Sequence, residues 1–274
     1  MTGEIDPSLS TVATRVSSSE PPAPPAPAPV RIQHHHEVLI LIQNTLTFLV
    51  GALFVLTFIA QPYRIPSGSM EETLLIGDFL LVNKVVFANP GPWKPLLAYE
   101  PVKHDDIVVF HYPIDASMYL VKRVIGVPGD ALHLHHGLVY VDGRLQREPF
   151  ALYIPSYANQ FRDEFPTPTY TDPGVSSRWW MEMQRSVHQG QLEIPAGEYF
   201  VLGDNRNDSL DSRYWGLVPR QNIVGEPFLV YFSVVTASRS EITGLTSDRL
   251  AHERGWWKDV VGAVRWSRIF HVIR

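Results

Sequence analysis

The sequence predicts a mainly β protein carried on one N-terminal transmembrane helix. Residues 38–60 are apolar and contain no charged side chain, and a helix of this length can cross the ~30 Å hydrocarbon core of a bilayer. After residue 62 the apolar residues occur in short runs typical of strands. The chain also contains 23 prolines and 11% aromatic residues, which favours strands and loops over long helices.

Composition excludes several classes of protein. The 274 residues are 45% hydrophobic and 19% charged, which is ordinary for a globular chain with one large domain or two small ones. A formal net charge of −5 and a pI of about 6.1 give no basic patch for nucleic acid. The absence of cysteine excludes disulfides, cysteine nucleophiles and thiolate metal sites.

Residues 1–36 are predicted to form a disordered tail. The run PPAPPAPAP at 21–29 cannot form a helix and favours an extended polyproline conformation. A docking segment for a proline-binding partner is the alternative interpretation. His34, His35 and His36 could bind a metal ion, but three adjacent residues do not share one helix face, which favours a polar cluster beside the membrane.

The apolar run 38–60 is interpreted as a true span. A cleaved signal peptide would be shorter and would not follow a 36-residue tail. A buried helix of a soluble protein is rarely apolar on every face. Arg31 and Arg64 are the only basic residues within about 20 residues of the two ends, so the positive-inside rule does not determine the orientation.

The strands are predicted from apolar runs bounded by turn residues, at 78–82, 107–110, 138–141 and 228–232. Asp142-Gly143 is a hairpin signal. The stretch of roughly 145–190 shows no regular spacing of apolar residues and is interpreted as a β-rich insertion of loops and short strands. Residues of about 246–274 are predicted to be partly helical, either packed on the core or placed at the lipid headgroups.

Ser69 is the first candidate catalytic residue. It follows the span by nine residues, which reach at most ~30 Å, so it must lie near the bilayer. A serine hydroxyl needs a base to act as a nucleophile. The Gly-x-Ser-x-Gly pattern is absent and no lysine stands three positions after Ser69, so the base must come from elsewhere in the fold.

Lys122 is the candidate base because Leu120, Val121, Val124 and Ile125 surround it in the sequence. Burial would disfavour the ammonium form and lower its pKa. For Lys122 to act as a base near neutral pH, its pKa must fall by about 3 from ~10.4. A strand lysine that extends its amine to solvent is the alternative.

The loop 202–216 is dense in side chains that hydrogen-bond their own backbone. Asp211 and Arg213 could pair and order it, and Ser209 could face the base. A solvated turn or a calcium loop is the alternative, although the glycine and final glutamate of an EF-hand are missing at their positions.

Four ordered blocks resemble the bacterial type I signal peptidase family of membrane-anchored Ser/Lys endopeptidases. They are IPSGSM with LLIGD in 65–78, DIVVF at 106–110, KRVIGVPGD at 122–130, and GDNR to YWG in 203–216. The resemblance covers roughly 61–132 and 196–232. It does not extend to the insertion or the proline-rich tail.

The resemblance implies a role for each matching residue. Ser69 is implied as the nucleophile, Lys122 as the general base, Ser67 as an oxyanion donor, and Ser209 as the residue that orients the base. The residues implied to support the site are Asp204, Arg123, Asp211 and Arg213. The residues implied to form shallow pockets for small substrate side chains are Ile65, Leu80, Val109 and Val121.

The resemblance also implies the fold and the biology. The fold is a coiled β-sheet catalytic domain at 61–274, on the extracytoplasmic side of the inner (plasma) membrane, with a cytoplasmic tail and a single span. The substrates implied are exported preproteins cleaved after Ala-x-Ala-like sites, by a monomer in contact with the lipid bilayer that needs no cofactor, metal or nucleic acid. Alternatives are a specialised pilus or conjugation peptidase, a self-cleaving repressor, for which residues 1–60 offer no DNA-binding domain, and a non-enzymatic binding domain.

One position departs from the family pattern. The family usually has SGSMxPTL, and Glu72 stands here in place of the proline. Proline would hold φ near −65°, so its absence raises a question about the rigidity of the chain after Ser69.

Overall fold

The computed structural model describes residues 33–88, 99–167, 169, 171–235 and 262–273. The chain divides into two compact units, residues 1–48 and 49–274. Helix α1 (Gln33–Phe54) continues into a π-helical turn, Val55–Ile59. Over His36–Ile59 this helix is long and apolar enough to cross a membrane. The predicted span falls on it except for Ala60, which begins the first strand; the proline-rich run lies outside the described residues.

After this helix, the chain forms two antiparallel sheets. In chain order the strands are β1 Ala60–Arg64, β2 Asp78–Asn83, β3 Ile107–His111, β4 Tyr119–Gly126, β5 Ala131–His135, β6 Leu138–Val141, β7 Arg144–Leu145, β8 Val187–His188, β9 Gln191–Glu193, β10 Glu198–Leu202, β11 Val218–Pro219, β12 Ile223–Ser233 and β13 His271–Val272. The large sheet has the order β1-β2-β12-β3-β4-β10-β11, with β13 also paired to β12, and the small sheet has the order β7-β6-β5-β9-β8.

The large sheet bends at β12. Residues 223–225 of this strand pair with β3, whereas residues 226–233 pair with β2. Gly225 lies at the change of partner, where an added Cβ would collide with the Asn83 carbonyl oxygen. The glycine therefore permits a close backbone approach that curls the sheet. The predicted fold class, mainly β with a coiled sheet and one N-terminal apolar helix, is confirmed.

The four predicted strands lie within β2, β3, β6 and β12. The Asp142-Gly143 hairpin is also present: Val141 pairs with Arg144, and the two turn residues have φ of 50° and 73°. Both values are positive, as a two-residue type I′ turn requires.

The insertion contains more helix than the sequence predicted. Helices α2 (Gln160–Asp163) and α3 (Ser177–Ser186) lie in it, and among its described residues regular strand occurs only near the two ends. Trp179 and Met183 are four residues apart, and both are buried on one face of α3. Mixed aromatic and polar residues concealed this spacing. The predicted C-terminal helix lies mostly outside the described residues, which show a 3₁₀ turn, Trp266–Arg268, and then β13.

The buried apolar residues form two clusters. The larger one includes side chains of both sheets and of α3. The smaller cluster contains side chains of β2, β3, β12, the segment between β1 and β2, and the C-terminal segment, namely Ile65, Met70, Leu74, Leu80, Ile107, Val230 and Ile273. It anchors the segment that carries Ser69.

Candidate active site

Ser69 lies in the segment that joins β1 to β2. Ile65 and Asp78 close its base, with Ile65 N donating to the Asp78 carbonyl at 2.9 Å. Met70 and Leu74 bury their side chains in the smaller cluster, being 2% and 0% exposed. The segment is thus held by its apolar side chains, while Ser69, directly before Met70, stays partly exposed.

Lys122 lies in β4, opposite Val108 of β3. Its side chain is almost completely buried, and its Nζ donates a hydrogen bond to Ser69 Oγ. The structure therefore brings the two predicted residues into direct contact across 53 positions of sequence. Lys122 therefore does not extend its amine to solvent, which was the alternative interpretation of this strand.

Burial lowers the pKa of Lys122 to about 8. The charge of Arg213 contributes to this lowering, whereas the carboxylates of Asp211, Asp204 and Asp208 act in the opposite direction and limit it. A buried amine without a directly bonded carboxylate loses its proton more easily than a solvated one. A large part of the Lys122 population can therefore hold a lone pair at mildly alkaline pH.

The loop that follows β10 packs against Ser69 through Gly203. An added Cβ at Gly203 would collide with the Ser209 hydroxyl and with the Ser69 carbonyl oxygen. Asn205 N donates to the same Ser69 carbonyl at 3.1 Å. This glycine is required for contact, because any side chain here would push the loop away from the nucleophile.

Arg123 and Asp204 form a buried two-point ion pair next to Lys122. Arg123 Nε and one terminal nitrogen donate to the two Asp204 oxygens at 2.9 and 2.7 Å. Thr73 Oγ1 also donates to Asp204, at 2.5 Å. The pair thus ties β4, the loop after β10 and the Ser69 segment together, with the paired geometry that suits guanidinium and carboxylate.

Asp211 and Arg213 form a second buried pair at 2.8 and 2.7 Å. Burial alone would raise the pKa of Asp211, but the charge and hydrogen bonds of Arg213 outweigh it and the pKa is lowered. Asp211 also accepts from the backbone N–H of Gly203 and of Arg213. The predicted pairing of these two residues is therefore present, and it orders the loop at its centre.

The two further serines stand in different environments. Ser209 is buried, and its hydroxyl oxygen has no hydrogen bond of normal geometry among the described residues, although it is one of the groups that lower the pKa of Asp211. It makes no hydrogen bond to Lys122. Ser67 is exposed, two residues before Ser69.

The two candidate catalytic residues and the two further serines border one cavity of about 360 Å³. The polar lining includes Ser67, Ser69, Lys122 and Ser209, and the apolar and aromatic lining consists of Leu120, Leu210 and Tyr214. Leu210 is 65% exposed although its neighbours Ser209 and Asp211 are buried. Sequence reasoning missed Leu210, because a single leucine in a polar loop carries no signal of its orientation.

The insertion also supports the site, which sequence reasoning did not predict. Glu148 accepts two hydrogen bonds from buried Arg206, at 2.8 and 2.7 Å. Arg206 Nε in turn donates to the Gly203 carbonyl, and Leu152 N donates to the Asp204 carbonyl at 2.7 Å. In the sequence, Arg206 stands in a loop rich in carboxylates, and nothing there indicates that its partner is Glu148.

The four implied pocket residues do not line the 360 Å³ cavity and lie in or beside the smaller apolar cluster. Ile65, Leu80 and Val121 belong to or pack on the smaller cluster, and Val109 pairs with Val121 across β3 and β4. Three of them are nearly covered, with Ile65 4% exposed and Leu80 and Val109 0% exposed. Val121 is the member that retains more surface.

Glu72 adopts a backbone conformation that proline cannot. Its φ is 81°, in the left-handed region, whereas proline is held near −65°. The residue that stands in place of the family's proline thus marks a real local difference in the chain after Ser69.

This chain is similar to known proteins over most of its length. The family described as Signal peptidase, peptidase S26, matches residues 38–232. The chain is 34% identical to Signal peptidase I of Pseudomonas fluorescens, over 66% of this chain and 68% of the relative. It is 32% identical to Signal peptidase I of Aquifex aeolicus strain VF5, over 73% of this chain and 88% of the relative. A solved signal peptidase I from Enterococcus faecalis V583 is 27% identical and covers 46% of this chain and 97% of its own, with a TM-score of 0.31.

Proposed function

The chain belongs to the signal peptidase family, peptidase S26, and is a serine endopeptidase of the signal peptidase I type; on that premise we propose that Ser69 is its nucleophile and Lys122 its general base. The single observation that carries this assignment is the hydrogen bond between Lys122 Nζ and Ser69 Oγ inside a buried site. The helix and the family together indicate a membrane-anchored enzyme.

In the first step, neutral Lys122 accepts the Ser69 hydroxyl proton as Oγ attacks the scissile carbonyl carbon. The lowered pKa of Lys122, about 8, supplies the neutral amine. The contact observed between the two side chains is the path of this proton. Lys122 then donates the proton to the leaving amine, and the peptide bond breaks to leave an acyl group on Ser69.

The developing oxyanion requires donors. Ser67 and the Ser69 backbone N–H are proposed to bind it, because Ser67 borders the same cavity and its hydroxyl is free to turn toward the substrate. A water molecule deprotonated by Lys122 then hydrolyses the acyl-enzyme. Asp211 and Arg213 are proposed to shape the electrostatic surroundings of the amine, and Ser209, which lines the same cavity, is proposed to orient it.

The substrates are preproteins that carry signal peptides. We propose cleavage after small-x-small sites such as Ala-x-Ala, in shallow pockets formed by the apolar residues Ile65, Leu80, Val109 and Val121, of which the first three are buried. Shallow pockets would accept alanine and exclude larger side chains. The enzyme is proposed to act as a monomer at the lipid surface.

Cleavage of a purified preprotein with an Ala-x-Ala site tests the assignment. Wild type should cleave it, whereas Ser69→Ala and Lys122→Met should not. Lys103→Met is the matched control, because Lys103 is an exposed lysine whose side chain pairs with Glu100. Wild-type rates in both catalytic variants would overturn the assignment. Loss of activity in Lys103→Met would show that the loss is not specific to the two catalytic residues.

The catalytic domain is proposed to lie on the extracytoplasmic side of the inner (plasma) membrane. The chain has no cysteine, so single introduced cysteines report their side without background. In spheroplasts, a membrane-impermeant maleimide should label Ala116→Cys, at an exposed position of the catalytic domain, and should not label Ser8→Cys in the tail. The opposite labelling pattern would reverse the proposed orientation.

A further inference from the structure

The hairpin of β5 and β6 carries two histidines at its tip. His135 pairs with Leu138, so His136 and Gly137 form a two-residue turn. Their φ values are 51° and 76°, as a type I′ turn requires. This turn places the rings of His135 and His136 with centroids 4.0 Å apart, so both can face the same point.

Glu164 is held against this tip by its neighbours in the chain. Gly137 N donates to the Asp163 carbonyl at 3.0 Å, and Leu134 N donates to the Phe165 carbonyl at 2.6 Å. These two backbone bonds come from the residues on either side of Glu164. The backbone of Glu164 is therefore fixed beside the tip, and His136 N orients its carboxylate by donating to Oε1 at 2.9 Å.

The carboxylate faces both histidines. Its two oxygens lie 2.7 Å from His135 Nδ1 and 3.1 Å from His136 Nδ1. The ligand atoms of all three residues lie within 4.8 Å of one another. In a tetrahedral zinc site with bonds of about 2.0–2.1 Å, neighbouring ligand atoms are about 3.3 Å apart, so small side-chain rotations suffice.

We propose that His135, His136 and Glu164 bind a divalent transition-metal ion of the zinc type. Two imidazole nitrogens and one carboxylate are a donor set that suits zinc, and they leave a fourth position for water. The side chains are accessible, with 57%, 78% and 34% exposed surface in that order. A bound ion would tie the hairpin to the end of α2 and stabilise the small sheet.

A second observation supports a polar ligand at this place. His135 and Glu164 border a cavity of about 500 Å³ that His133 also lines. The Nδ1 atom of His133 is buried and has no hydrogen-bond partner among the described residues. A water molecule bound to the metal, or bridging from it, would satisfy this nitrogen.

The test uses the full-length chain in detergent, prepared metal-free and without a polyhistidine tag. His34, His35 and His36 are replaced by glutamine in the background, because that run could bind zinc itself. Equilibrium dialysis should give one saturable equivalent of Zn²⁺, and zinc should raise the unfolding temperature. Absence of saturable binding would overturn the proposal.

Variants assign the binding to these residues. Glu164→Gln and His136→Asn should each weaken zinc binding at least about tenfold; asparagine suits the positive φ and keeps the turn. His104→Gln is the matched control, because His104 forms one histidine–carboxylate contact, 2.7 Å to Asp130, without a second histidine. Unchanged affinity in both site variants would overturn the assignment. Retained preprotein cleavage in these variants would show that they fold.

Discussion

Lys122 Nζ donates a hydrogen bond to Ser69 Oγ from a side chain that is only 3% exposed. The two residues come from different strands and loops, and the contact depends on three supports. The apolar anchors Met70 and Leu74 hold Ser69, β3 and β4 hold Lys122, and Gly203 permits close approach of the loop after β10. The expected consequences of this arrangement can be measured.

The rate of cleavage should follow the titration of Lys122. Its pKa is lowered to about 8, so kcat/KM should rise with pH through about 8 and level off above it. At pH 6 roughly 1% of the amine is neutral, which predicts a rate about tenfold lower for each pH unit below the pKa. The pH profile of Lys103→Met should match that of wild type. A flat profile between pH 6 and 9 would contradict Lys122 as the base.

The same burial should make Lys122 costly for stability. The unfolded pKa is 10.5 and the folded pKa is about 8, so the folded state is penalised in full below pH 8 and the penalty disappears above pH 10.5. Lys122→Met should therefore raise the free energy of unfolding by roughly 3 kcal/mol at pH 7. Unfolding in detergent at pH 7 and 10.5 measures this difference. An equal or lower stability of the variant at pH 7 would contradict the prediction.

Removal of the Ser67 hydroxyl should lower kcat while leaving the fold intact. Ser67 is exposed and borders the catalytic cavity, so its loss removes a donor without creating a buried defect. For one oxyanion donor the expected reduction is about 10²–10³ in kcat, with a small change in KM. Ser67→Thr keeps the hydroxyl and should retain more activity than Ser67→Ala. Equal kcat in wild type and Ser67→Ala would exclude the role.

Glu72 should respond to substitution according to its positive φ. Glycine adopts a φ of 81° without the penalty of a Cβ, so Glu72→Gly should be about 1 kcal/mol more stable than wild type. Glu72→Pro cannot keep this backbone and should lose both stability and activity, although proline is the usual residue of the family. Thermal unfolding and cleavage rates compare the two variants. A fully active and stable proline variant would show that the segment can take another conformation.

Arg268 should stabilise the Ser69 segment from the C-terminus. It donates to both oxygens of fully buried Asp78, at 3.2 and 2.6 Å, and to the Thr73 carbonyl at 2.9 Å. Arg268→Met should cost about 1–3 kcal/mol, because buried Asp78 loses its directly bonded arginine and keeps Ser233 and the more distant Arg265, at 3.9 Å. Asp78→Asn in the same chain should recover part of the loss. If Arg268→Met unfolds like wild type, the ion pair does not hold the segment.

Features that depend on local sequence could be predicted without the structure. The apolar run 38–60 is long enough to span a bilayer whatever follows it, and the strands at 78–82 and 138–141 show the two-residue alternation or apolar density of sheets. Asp142-Gly143 predicts its turn because few residues tolerate positive φ. The resemblance of the ordered blocks implied that Ser69 and Lys122 share one site, and the two side chains are in contact.

Other features depend on residues that are distant in the sequence. The pKa of Lys122 reflects burial by the whole sheet, whereas the Lys122 segment alone favoured a solvated lysine. Glu148 reaches Arg206 from an insertion that carries no motif, and Arg268 reaches Asp78 from the other end of the chain. The sequence therefore specified the helix, the strands and the chemical groups. The folded chain set the burial, the ion pairs and the backbone of Glu72, because these arise from long-range packing.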